Sequence, residues 1–213
     1  MSGLLDLLNS PIGKQLISGA AQETNQPADK TSQVISMALP VLMGAMKRNA
    51  STPEGAEGLM NALSNKHNGS ILDNLGDLFG GGVNQEVKED GAGILGHILG
   101  GKQSQVENAL SQKSGIDASS IGTILKVAAP LVMGYLGKQK QQQGVSDANG
   151  LGSLLGGMLG GNNGGAKEQS LIESFLDADG DGSILDDVAG MVLGGGQKKK
   201  GGLGGLLGGL FGK

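Results

Sequence analysis

The 213-residue chain contains no cysteine. Disulfides, thiolate metal sites and a cysteine nucleophile are thereby excluded. Tryptophan is also absent, and the only rings besides histidine are Phe79, Tyr135, Phe175 and Phe211. A core without large rings has to be built from Leu, Ile, Val, Met and Ala, which favours closely packed helices over a β-sandwich. Excess positive charge is missing too: 16 Lys and Arg stand against 20 Asp and Glu, a net charge of −4. A nucleic-acid binder would show a basic patch with stacking aromatics, so no nucleic-acid partner is expected. Long hydrophobic runs are lacking as well. The longest mostly apolar run, 34–46, is 13 residues, against the roughly 20 that a membrane span needs. The opening "MSGLLDLLNSPIGK" carries no basic stretch ahead of an apolar one, so no secretory signal is expected and the expected location is cytoplasmic.

What the chain has in abundance is glycine, 42 residues, about three times the usual share of roughly 7%. It also repeats itself. "TSQVISMALPVLMGAMKRN" (31–49) aligns without gaps on "IGTILKVAAPLVMGYLGKQ" (121–139), an offset of 90 residues. Ala38, Pro40, Met43 and Gly44 match Ala128, Pro130, Met133 and Gly134, and upstream Gln22 and Ala28 match Gln112 and Ala118. Each segment is apolar nearly all round, as a buried helix is. Pro27 and Asp117 mark the expected helix starts. The internal proline of each copy is expected to kink or break its helix. The polar run "GKQKQQQ" (137–143) would let the second long helix project into solvent.

Helical patterns cover 3–20, 27–48, 53–65, 70–79, 90–100, 103–113, 117–141, 167–176 and 184–193, and nothing alternates with the period of a strand. The fold class expected is all-α: a two-repeat helical domain over 1–143, a glycine-rich linker over 144–166, an acidic helix-loop-helix over 167–195 and a basic glycine/leucine tail over 196–213. Two glycine-rich stretches nevertheless carry helical spacing. Leu151, Leu154, Leu155, Met158 and Leu159 follow i, i+3, i+4, i+7, i+8, and so do Leu203, Leu206, Leu207, Leu210 and Phe211. Interior glycine costs about 1 kcal/mol each relative to alanine. Such helices should form only against an apolar surface; the alternative for both stretches is low-complexity linker.

The segments "ALPVLMGAM" and "AAPLVMGYLG", the turn "DGAGILGHILGG" (90–101) and "LDADGDGSILDDVAGM" (176–191) together resemble a bacterial family catalogued as domain of unknown function 937, over residues 1 to about 195. The resemblance implies a helical bacterial protein and supplies no activity.

The acidic stretch is the part that reads as chemistry. Calcium takes six to eight oxygen ligands, and an EF-hand loop supplies them from positions 1, 3, 5, a carbonyl at 7 and an acid at 12, with Gly at 6 for the turn. Asp177, Asp179, Asp181, Gly182 and Ser183 occupy positions 1, 3, 5, 6 and 7. Position 12 is Val188, so closure falls to Asp187 at position 11, or to Asp186 at position 10. The loop is similar to dockerin-type half-hands, which close with Asp. Seven of the 20 acids crowd into 168–188, an arrangement that a divalent cation would relieve. The alternative is an Asp/Gly-rich turn whose carboxylates face water.

No nucleophile elbow, phosphate-binding loop or dinucleotide fingerprint occurs. His67 and His97 stand apart without a ligand cluster, and their expected role is structural. An enzyme would need a pocket joining His97 to the acids of the 177–187 loop. The expectation is a non-enzymatic calcium-binding structural or interaction protein, its partner a second protein or a second copy of the chain. The competing expectation is a peripheral membrane protein acting through 197–213, where four lysines and no acid accompany the apolar stripe.

Overall fold

The computed structural model describes residues 4–79 and 82–159, and the described residues form helices with no strand among them. The first unit comprises α1 (Leu4–Asn9), α2 (Pro11–Thr24), α3 (Ala28–Asn49) and α4 (Pro53–Asn65). A 3-10 turn (Ser70–Asp73) and α5 (Leu75–Phe79) connect it to the second unit. That unit holds α6 (Gln85–Ile98), a 3-10 turn (Gly100–Lys102), α7 (Gln103–Ser114), α8 (Ala118–Gln142) and α9 (Ala148–Leu159).

The repeat is visible in the backbone. Residues 24 and 114, which are 90 apart, end α2 and α7, and residues 28 and 118, also 90 apart, begin α3 and α8. Asn25 (φ 52°) and Gly115 (φ 69°) cap α2 and α7 in the left-handed region. Thr24 Oγ1 donates to the Ala20 carbonyl and Ser114 Oγ to the Leu110 carbonyl, both at 2.7 Å. Pro27 and Asp117, the expected helix starts, stand at the N-cap positions, with Asp117 accepting from Ser120 N at 2.9 Å. Equivalent side chains share the core: Ile35 with Leu125, Ala38 with Ala128, Met43 with Met133. The units interlock, because α4 packs on α8 of the other unit while α9 packs on α3.

Four details differ from the sequence expectation. Of the kink or break expected at each proline, the break does not occur: α3 runs on through Pro40 and α8 through Pro130, both buried, so packing on all sides outweighs one missing hydrogen bond. The stretch 3–20 is divided, because Pro11 cannot donate to the preceding turn and Ser10 caps α2 by accepting from Gly13 N at 3.2 Å. Residues 148–159, inside the stretch read as linker, are helical, and Leu151, Leu154 and Leu155 are buried. Their spacing meets an apolar surface offered by α3, α4 and α8, which offsets the glycine cost. The polar end of α8 does not simply project: Lys140 Nζ donates to Ser64 Oγ (3.1 Å) and Gln141 Nε2 to the Asn68 carbonyl (2.9 Å).

Helix α8 has the length and composition of a membrane span, yet most of its apolar stretch is buried inside the domain. Its apolar surface is taken up by the surrounding helices.

Candidate binding groove

Helices α4 and α6 both rest on α8. Between them runs an open groove of about 920 Å³. Leu59 and Ala62 of α4, Val87 and Ile94 of α6, Ile71 of the Ser70–Asp73 turn and Met133 of α8 give it an apolar floor. Glu54, Glu86, Glu89 and Asp90 stand along it, against a single lysine, Lys66. Glu54 and Glu86 lie in the first turns of α4 and α6, where the helix dipole favours a carboxylate.

Polar contacts tie the two ends. At one, Lys66 just past α4 pairs with Asp90 of α6. At the other, Asn49 Nδ2 donates to the His97 carbonyl at 2.9 Å. The end of α4 therefore lies by the start of α6, and the two walls run antiparallel.

Glycine is used in two ways here. Gly91 is required by contact, since a Cβ there would overlap the Lys126 carbonyl of α8. That carbonyl is the one four residues before Pro130, so it has no helical N–H to accept from. The Gly91 backbone packs directly against it. Gly58 on α4 and Gly93 on α6 are different: both line the groove, both are exposed, and a Cβ on either would meet nothing within 4 Å. No packing within the domain requires them.

Both histidines line the groove. His97 is exposed on α6. His67 is only 5% exposed, and its Nδ1 lies 3.8 Å from Asp90 Oδ2, too far for a direct hydrogen bond. It is buried because its carbonyl side abuts α8 at Gly137, where a Cβ would overlap the His67 carbonyl. Burial holds the His67 imidazole below its ordinary value of 6.5; Asp90 opposes that shift and Lys66 adds to it.

The unfolded chain therefore takes up this proton at higher pH than the folded one. The contribution of neutral His67 is complete above 6.5 and is lost as pH falls toward and through the lowered folded value. Thermal midpoints measured from pH 8 to 5 should fall below pH 6.5, and His67→Asn should flatten the decline. A wild-type midpoint that stays level, or the same slope in the variant, would refute this.

A second charged contact fixes α6. Lys88 Nζ donates to Glu23 Oε1 at 2.6 Å and Val83 N donates to Glu23 Oε2 at 3.2 Å, anchoring its approach to α2. The Lys88 hydrogen bond holds the Glu23 carboxyl below its ordinary value.

The residues expected at a metal site, Asp177, Asp179, Asp181, Ser183, Asp186 and Asp187, all lie outside the described residues, as does the tail 197–213. Among the described residues no cluster of three or more His, Asp or Glu is arranged to hold a metal. The groove escaped sequence reading because it is made by two helices distant in the chain. Its one trace was glycine at 58 and 93, inside helical patterns where glycine is costly.

The profile of a family described as bacterial protein of unknown function (DUF937) matches residues 6–139 and 140–213. The chain belongs to this family. Neither a curated protein nor a solved structure matches it.

Proposed function

We propose that this chain is a non-enzymatic interaction protein whose helical domain receives an amphipathic segment in the α4–α6 groove. The groove itself carries the reading. It combines an apolar floor of helix side chains with a charged rim, the combination by which helix-in-groove complexes gain affinity and register. Four carboxylates against one lysine favour an occupant with basic flanks. Peptides selected from a library on the full-length chain should carry apolar residues at i, i+3, i+4 and i+7 beside Lys or Arg. They should lose binding to Gly58→Arg, which fills the groove from a position with open space around it. No enrichment over that variant would end the groove reading.

The second element of the proposal is calcium, held through Asp177, Asp179, Asp181, the Ser183 carbonyl and Asp187, with Asp186 as the alternative closing ligand. The alternation of aspartates ahead of Gly182 supports it. Calorimetry on the full chain should show binding at millimolar calcium or below. Asp177→Ala combined with Asp181→Ala should abolish it, and Asp187→Ala should weaken it more than Asp186→Ala. Absence of heat at millimolar ion would remove calcium from the proposal, since even weak extracellular sites bind in that range.

A further inference from the structure

We propose that the occupant of the α4–α6 groove is the chain's own C-terminal segment, residues 198–213, an inference that rests on the groove reading above. Charge, length and surface each argue for it. The segment has lysines at both ends of an apolar stretch: Lys198, Lys199 and Lys200 before it and Lys213 after it. The groove has carboxylates at both ends, Glu86 and Glu89 by the start of α6 and Glu54 by the start of α4.

The lengths agree. The α4 wall from Gly55 to Lys66 is about 16 Å long at 1.5 Å per residue, and a helix from Leu203 to Phe211 is about 12 Å. Leu203, Leu206, Leu207, Leu210 and Phe211 fall on one helical face, matching the apolar floor. Gly204, Gly205, Gly208 and Gly209 leave the flanks bare, and the walls present Gly58 and Gly93, where a Cβ would meet nothing. Two backbones can approach closely there, which gives those wall glycines a purpose that the domain's own packing does not.

The tether allows it. Helix α9 (Ala148–Leu159) packs against α4, one wall of the groove. The stretch 160–202 spans up to ~3.3 Å per residue when extended, far more than the route requires. The groove would then be self-occupied, and an outside peptide would have to displace the segment.

The absence of cysteine in the chain makes a direct test possible. Gly208→Cys is combined in the full-length protein with Gly58→Cys, with Gly93→Cys, or with Asn108→Cys on the exposed surface of α7. Under mild oxidation at least one wall pair should form an intramolecular disulfide at least tenfold faster than the Asn108 pair. Glu86→Lys with Glu89→Lys should remove most of that advantage. Leu207→Asp with Leu210→Asp should raise the affinity of library-selected peptides at least tenfold by vacating the groove.

Equal rates for wall and α7 pairs overturn the proposal, and so does a disulfide found only between two copies. If equal rates come with co-sedimentation on phosphatidylserine vesicles, the segment is a membrane anchor instead. Should peptides still bind in a Gly58-dependent way, the groove reading stands and only the occupant is wrong. Should they not bind either, both fall.

Discussion

Gly91→Ala should destabilise the domain by about 3 kcal/mol, at the upper end of what overpacking costs. For a chain of this size that is a drop in thermal midpoint of roughly 6–12 °C. The added methyl would collide with a backbone carbonyl, that of Lys126, and not with a side chain that could rotate away. Helix α6 would have to lift off α8, taking with it Val87, Ile94 and Leu95, which are buried in the shared core. The carbonyl freed by Pro130 would then lose the neighbour that faces it. Gly93→Ala, two residues on, should act in the opposite direction, because its Cβ enters open space and alanine is the better helix former by about 1 kcal/mol. Chemical denaturation of the two variants checks both signs. Equal stability of Gly91→Ala and wild type would show that α6 does not sit this close to α8.

Ile35→Ala and Leu125→Ala should each cost about 2–5 kcal/mol, the range for emptying a fully buried aliphatic site. Both residues are 0% exposed and occupy equivalent places in the two units. Because α4 packs on α8 and α9 on α3, neither unit completes its core alone. Loss in one should therefore unfold both, in a single transition shifted by similar amounts in the two variants. Two separate transitions, or one variant as stable as wild type, would contradict an interlocked core.

Much of this architecture was legible in the residues. The offset of 90, the helix starts at Pro27 and Asp117, and the apolar periodicity of α3 and α8 placed the two long helices. The last two are local: a helix start acts within a turn, and a periodicity is read along one helix. The acidic loop was equally legible as a pattern, and its aspartates remain a proposal.

What the sequence by itself determined is the class of the protein and its repeat, because helix propensity, capping and patterning are properties of neighbouring residues. Three features were decided only by the tertiary structure. Leucines at 151, 154 and 155 formed a helix because α3, α4 and α8 supplied the surface that a glycine-rich stretch cannot supply for itself. The prolines of α3 and α8 stayed inside unbroken helices because buried packing outweighed one lost hydrogen bond, and at Pro130 the freed carbonyl lies against Gly91. The groove exists because two antiparallel helices rest on a third without closing over it. That spacing depends on how far apart three packed helices lie, and no stretch of the chain records that distance.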